Sequence, residues 1–269
     1  MRLTLCVVGV ACALTLTAES AIAQTAPAPQ EQLGALAPAN LKKPRAKAPF
    51  DLTGTWFVDL SKGFDTWRSG PPYPKFKGEG AKAFAESEAA KKKGQDYRDW
   101  IGQCYPAGMP VIMTRVWPIA MIQLPTAVYM ISGFENEIRI IYLDGRKHTP
   151  ADEVVRTFDG ESIGRWEGDT LVVDTVGFNE RFWFDRSGNP HTDQLRTIEK
   201  FTRLDTATLR YELTIDDPGA YTAPFTGHVD LRLEEGTELF EYVCQQSNFA
   251  AELMVGAATS VDRSSPIVP

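Results

Sequence analysis

Residues 209–216 read Leu-Arg-Tyr-Glu-Leu-Thr-Ile-Asp, an unbroken alternation of apolar and polar side chains. Successive side chains of an extended strand point to opposite faces. The pattern therefore buries its apolar half only as a strand with one face on a core and the other in water. The same period returns twice. Leu52, Gly54, Trp56, Val58 and Leu60 share one phase against Thr53, Thr55 and Asp59, and Val229, Leu231 and Leu233 share one against His228, Asp230 and Arg232. Turn-forming groups punctuate the alternation at Asp144-Gly145, Glu167-Gly168-Asp169, Asp217-Pro218-Gly219 and Glu235-Gly236. Glycine supplies the positive φ of tight hairpins there, and Asp bonds its own backbone. Further strands are expected over residues 111–124, interrupted by Pro118, over Ala127–Ser132 and over residues 138–143. Residues 80–101 differ: they are rich in Ala, Lys and Glu, with Glu88 and Lys92 spaced as an i,i+4 pair, and predict a helix broken near Gly94. Many short strands with one helix predict a mainly β chain. It is an antiparallel β-barrel or strongly curved sheet of about eight to ten strands, with one inserted helix.

The N-terminus carries the marks of export. Arg2 is followed by an apolar run over residues 3–16, and Ala21-Ile22-Ala23 forms a small-x-small cleavage site ahead of Gln24. The run is too short to span a bilayer, and Cys6 and Cys12 lie inside it. Residues 1–23 are read as a signal peptide, residues 24–49 as a disordered Pro/Ala-rich linker, residues 50–249 as the β-barrel domain and residues 250–269 as a tail. The expected location is the periplasm or the exterior. Formal net charge is −7, and the one basic cluster (Lys42, Lys43, Arg45 and Lys47) sits in the linker, which argues against nucleic acid as a partner. No membrane span is expected, and the oligomeric state stays open. The two remaining cysteines, Cys104 and Cys244, are expected to pair in an oxidising compartment. Closing so long a loop could stabilise the fold by about 4 kcal/mol in the chain-entropy picture.

Gly54-Thr55-Trp56, on the first alternating segment, resembles the Gly-x-Trp of lipocalin-like barrels, where the Trp closes one end. A longer string runs through Asp144-Gly145-Arg146, His148, then Ser162-Ile163-Gly164-Arg165-Trp166-Glu167-Gly168-Asp169-Thr170-Leu171-Val172-Val173-Asp174-Thr175 and Gly177-Phe178-Asn179. With Pro190-His191 and Thr214-Ile215-Asp216-Asp217-Pro218 it resembles a family of uncharacterised exported bacterial proteins, sometimes labelled lipocalin-like. The resemblance spans residues 50–248 and implies a barrel. It implies no catalytic residue.

Residues 160–195 mix aromatic, acidic and basic side chains with tight glycine turns, the composition of a pocket mouth. His191, near Asp185 and Asp193, is a candidate acid–base imidazole, or else an anchor of its loop. Asp174 stands in a strand of valines, where a carboxylate needs a partner or its pKa rises. Arg165, on the facing arm, either stabilises an anion or pairs across the hairpin. Trp166, Asn179 and Trp183 are candidate ligand contacts, the two tryptophans alternatively core or rim. The five residues Arg165, Trp166, Asp174, Asn179 and His191 are expected to converge on one pocket. His148 and His228 are read as a loop hydrogen-bonder and a solvated strand residue. The histidines have no metal-ligand spacing, so no metal is expected. Gly160-Glu161-Ser162-Ile163-Gly164 matches a nucleophile elbow in letters but leads into a turn and not a helix. No glycine-rich phosphate loop is present in the sequence, and no cofactor is expected. Two readings remain: an exported lipocalin-like barrel binding a small, partly apolar or hydroxylated molecule in a polar-aromatic pocket, or a cofactor-independent lyase, isomerase or hydrolase using Asp174 and His191.

Overall fold

The alternating segments become strands whose apolar phase faces inward. In the computed structural model, which describes residues 33–45, 51–62, 74–94, 101, 104–183 and 189–244, nine strands follow one another around a closed barrel. They are β1 (Gly54–Val58), β2 (Ile119–Gln123), β3 (Ala127–Ser132), β4 (Ile138–Tyr142), β5 (Glu161–Glu167), β6 (Thr170–Val176), β7 (Arg196–Arg203), β8 (Thr208–Asp216) and β9 (Phe225–Leu233). Closure comes from β1 pairing with both β2 and β9, with Trp56 opposite Ile119 on one side and Leu233 on the other. A closed sheet leaves no unpaired edge. Leu209, Tyr211, Leu213 and Ile215 of β8 are fully buried, and with Trp56, Leu171, Val173, Phe201, Val229 and Leu231 they fill the lumen. The barrel interior is thus a packed core over much of its volume. Trp56 donates its indole N–H to the Leu52 carbonyl (2.9 Å) and carries the Arg203 guanidinium over its ring at 4.9 Å.

All neighbouring strands are antiparallel except β4 and β5, which run parallel with Ile141 opposite Ser162. Parallel neighbours need a crossover connection. Here it is the long segment from Leu143 to Gly160, which is not helical and carries the chain from one end of the barrel back to the other. Its start is pinned by Arg146, which holds Asp144 in a two-pronged contact and lies 3.5 Å above the Tyr142 ring. Its end is pinned by an isolated parallel bridge between Thr157 and Phe178.

The inserted helix is observed as α2 (Gly78–Lys92), starting two residues earlier than the sequence suggests; a one-turn helix, α1 (Pro38–Leu41), precedes it in the chain. Phe84 of α2 stacks on Phe76 at 4.5 Å, and Phe76 meets Tyr221 at 5.1 Å. Two expectations need correction. Residues 111–118 are not a strand: Val111–Thr114 form a 3₁₀ turn and the strand begins only after Pro118. Three successive residues of the turn, Val111, Ile112 and Met113, are buried, so period two has nothing to mark there. Within the expected linker, residues 33–45 include α1, with Ala35 and Asn40 buried. The signal peptide 1–23 and tail 250–269 lie outside the described residues. Apart from Leu33, the described residues belong to one compact unit, and no described helix is long and apolar enough to cross a membrane.

Candidate functional site

The turn between β3 and β4 and the end of the β4–β5 crossover meet at the same barrel mouth, and they bring Glu137 and Asp159 together. Glu137 ends the β3–β4 turn and is 7% exposed. It accepts hydrogen bonds from the backbone N–H groups of Ala107 (3.0 Å) and Gly108 (2.9 Å). Gly108 has φ +72°, and a Cβ there would lie 2.6 Å from the Phe158 carbonyl oxygen, so only glycine lets segment 104–108 pass this close to the crossover. Asp159 shares a hydrogen bond with the Glu137 carboxyl. Its Oδ1 is shut from solvent and receives no bond from any N–H or hydroxyl of the described residues.

Two carboxyls in contact, one of them buried, cannot both be ionised cheaply. Burial, and then the charge of Asp159, push Glu137 up to about 9. Burial also pushes Asp159 up, to about 6, although the Arg139 charge pulls the other way. At neutral pH the pair as a unit holds one proton.

An open cleft of about 370 Å³ adjoins the pair. Phe158, Pro106 and Ile138 give it apolar wall, Glu135, Glu137 and Asp159 give it carboxyls, and the Cys104–Cys244 disulfide closes one side. The non-glycine residues with left-handed φ among the described residues are Cys104 (60°), Glu135 (60°) and Asn136 (53°), and all three line this cleft. Such backbone persists only where its surroundings hold it, and it gathers at functional sites.

Behind the pair, inside the barrel, lies a fully buried ion pair. Arg139 points inward from β4 and Glu199 inward from β7, with side chains 1% and 0% exposed. Arg139 holds both Glu199 oxygens and also donates to Ser162 Oγ (3.0 Å) and Thr175 Oγ1 (2.9 Å), while the Tyr211 hydroxyl donates to Glu199 (2.9 Å). Burial opposes the guanidinium charge, but Glu199 overcomes this and keeps Arg139 protonated. Burial first, and then Glu199, push the Tyr211 phenol well above its ordinary range. The ion pair is internally balanced and leaves the cleft without a free cation.

The residues singled out in the sequence do not meet. Asp174 and Arg165 are on the outer face of the barrel. The Asp174 side chain is 17% exposed; Arg196 of β7 bonds both its oxygens (2.9 and 2.5 Å), and His148 stands 3.7 Å away. Burial would raise its pKa, but the Arg196 bonds and charge outweigh that, with His148 and Arg165 adding to them, and the net shift is downward. Of the two outcomes expected for a carboxylate in this strand, a partner or a raised pKa, the partner is the one found, Arg196. Arg165 bonds Glu167 on its own strand and sits opposite Val172, not Asp174. Trp166, the next residue, faces inward and packs on the core. Strand parity alone separates Arg165 and Asp174 from Trp166.

His191 is buried against the Phe182 ring (4.2 Å) beside the Thr192–Asp217 contact, and burial lowers its pKa despite the Thr192 carbonyl and the Asp217 charge. Asn179 caps its own loop by accepting the Arg181 N–H (2.8 Å). Trp183 is half-buried at the edge of the described residues, and Asp185 lies outside them. His148 bonds Glu161 (3.0 Å), the loop role expected of it, and His228 is exposed on β9. Among the described residues no group of three or more His, Cys, Asp or Glu is placed to hold a metal ion.

The cleft residues left little trace in the sequence. Arg139 and Glu199 did leave a signal, since each is a charge in the inward phase of a strand, next to Ile141 and Phe201 respectively. Glu137 and Asp159 left none, because only the parallel β4–β5 crossover brings them together. No family model, no curated protein and no solved structure matches this chain.

Proposed function

We propose that this chain is an exported, lipocalin-like barrel that binds a small, partly apolar molecule carrying a hydrogen-bond donor, a hydroxyl in the simplest case, in the cleft beside Glu137 and Asp159. The observation that carries the reading is the open cleft itself, where the carboxyl-bearing residues Glu135, Glu137 and Asp159 stand beside the apolar wall of Phe158, Pro106 and Ile138. A ligand hydroxyl that donates to an ionised carboxylate there contributes about 1.5–3 kcal/mol. Phe158 and Ile138 supply the apolar contact such a ligand needs, and a cleft of about 370 Å³ is within the range of small-molecule sites. The signal peptide, the periplasmic or secreted location and the resemblance to exported proteins support the same reading from the sequence side. Ligand-observed NMR with small hydroxylated aromatics tests it. Binding is expected in the wild type, and Asp159→Ala should weaken it about tenfold or more. Equal binding by both proteins would remove the cleft from the argument.

The Glu137–Asp159 pair favours a second reading, cofactor-independent acid–base catalysis. A protonated acid and an ionised base side by side are the means of moving a proton within a substrate. In that version Glu137 and Asp159 take the roles the sequence suggested for His191 and Asp174, and a rate profile bounded near pH 6 and pH 9 is the signature.

A further inference from the structure

We propose that the protein is a homodimer, in which two copies stack the outer faces of their strands β2, β3 and β4 on each other. What the cleft binds has no part in it.

Strand parity selects the outer set. Met121, Met130, Arg139 and Ile141 point into the lumen, so the residues between them point out. Register aligns these in two rows across the three strands. Ile122 stands beside Tyr129 and Ile140, and Ala120 beside Ile131 and Ile138. All six are uncharged, none belongs to the lumen core, and Ile122 and Ile138 are 42% and 58% exposed. An antiparallel sheet with one face in water carries polar residues on that face. The outer face of β7, β8 and β9 obeys this, with Lys200, Arg210, Glu212 and Asp230. The outer face of β2, β3 and β4 does not. Isoleucines and a tyrosine in rows there are the composition of a covered surface.

Size and charge point to a second copy as the cover. Three strands about 4.8 Å apart, each giving about five residues of about 3.3 Å, make a face of roughly 240 Å². At the end where β2 begins and β3 stops, the face runs into the cluster of Trp117, Phe134 and Tyr242. Phe240 and Val243 are 56% and 64% exposed there. Together they add on the order of 200 Å². The apolar part of a stable interface is a little over half of about 800 Å² per partner, or about 450 Å². The two figures agree. At the other end Arg146 lies 3.5 Å above the Tyr142 ring and begins a polar rim. Copies at net charge −7 repel each other, and here they can meet without setting like charges together. A two-fold axis places a patch against itself, and an uncharged apolar patch is its own complement.

Sedimentation equilibrium of the purified protein, from about 1 to 100 μM, tests this. The wild type should dimerise with a Kd of about 10 μM or below. Dimerisation should tighten as salt rises from about 0.05 to 0.3 M, because screening relieves the repulsion and leaves the apolar contact. Ile122→Lys, at a position already open to water, should weaken it about tenfold or more. Glu212→Lys on β8, which also reduces the negative charge, should not weaken it. If Ile122→Lys fails to fold, Ile122→Thr keeps the β-branched strand preference and should give a smaller loss of the same sign. A wild type that is monomeric at about 100 μM overturns the inference, as does a dimer that the Ile122 variant leaves intact or that loosens as salt rises.

Discussion

Glu137 couples the cleft to the stability of the fold. Its pKa of about 9 in the folded chain, against an ordinary 4.5, and that of Asp159 at about 6, against 3.8, mean that folding favours the protonated forms. Such a contribution is complete below the unfolded values and is lost as pH rises through the folded ones. Asp174, Glu161 and Asp51, whose carboxyls are held low, and His191, lowered by burial from an ordinary 6.5, act in the opposite sense, but only around and below their ordinary values. Above about pH 7.5, past the histidine range, the pair dominates, and urea unfolding should show stability falling toward pH 9, by up to about 1.4 kcal/mol per pH unit for each proton involved. Glu137→Gln, neutral at every pH, should flatten the decline between about pH 7.5 and 9. A wild-type stability that climbs over that window would show the proton is not there. A deeper residue carries a larger penalty. Glu199→Ala leaves the Arg139 charge buried without its partner and should cost about 3–5 kcal/mol by the same measurement.

At the scale of elements, α2 is held by a close approach at its first turn. A Cβ on Gly80 would lie 2.6 Å from the Ala220 Cα, so no side chain fits without pushing the helix off the β8–β9 turn. Gly80→Val should destabilise by about 1–3 kcal/mol and raise amide exchange in α2 before the barrel strands respond. Uniform loss of protection would mean the helix and barrel unfold as one. Strands β1, β8 and β9 were legible in the sequence because each wears its polar residues on one face only, and the helix because residues 80–92 are rich in Ala, Lys and Glu. The strand carrying Asp174 was legible as a strand but not as to which face is inward, since valines occupy both phases. The 3₁₀ turn at Val111–Thr114 was hidden because its first three residues are all apolar and all buried. The cleft was hidden for a topological reason: strand periodicity speaks of neighbours along one strand, and Glu137 and Asp159 face each other only across a parallel crossover.

For the whole molecule, the disulfide joins the β1–β2 connection to the segment after β9, the two regions of chain on either side of the closing β1–β9 pair. Cys104 and Cys244 lie 140 residues apart in sequence and 5.7 Å apart at Cα, so nearly the whole barrel is enclosed in one covalent loop. In the chain-entropy picture a loop of that length restrains the unfolded chain by about 5 kcal/mol. Non-covalent contacts hold the same C-terminal segment. Tyr242 meets Trp117 edge-on at 5.3 Å and Phe134 at 5.5 Å, and its carbonyl accepts from Asn136 Nδ2 (2.8 Å). Losing the covalent link should therefore weaken the fold without abolishing the native barrel. The double variant Cys104→Ser, Cys244→Ser is expected to lose several kcal/mol, up to about 5, in urea unfolding. Because both cysteines and the left-handed Glu135 and Asn136 line the cleft, ligand affinity should fall in that variant even at low temperature, where the barrel remains folded. Thiol titration of the unfolded, unreduced wild type should find neither cysteine free. A double variant with wild-type stability and affinity would show that the aromatic contacts alone seat the C-terminal segment, and that the bond contributes nothing to the cleft.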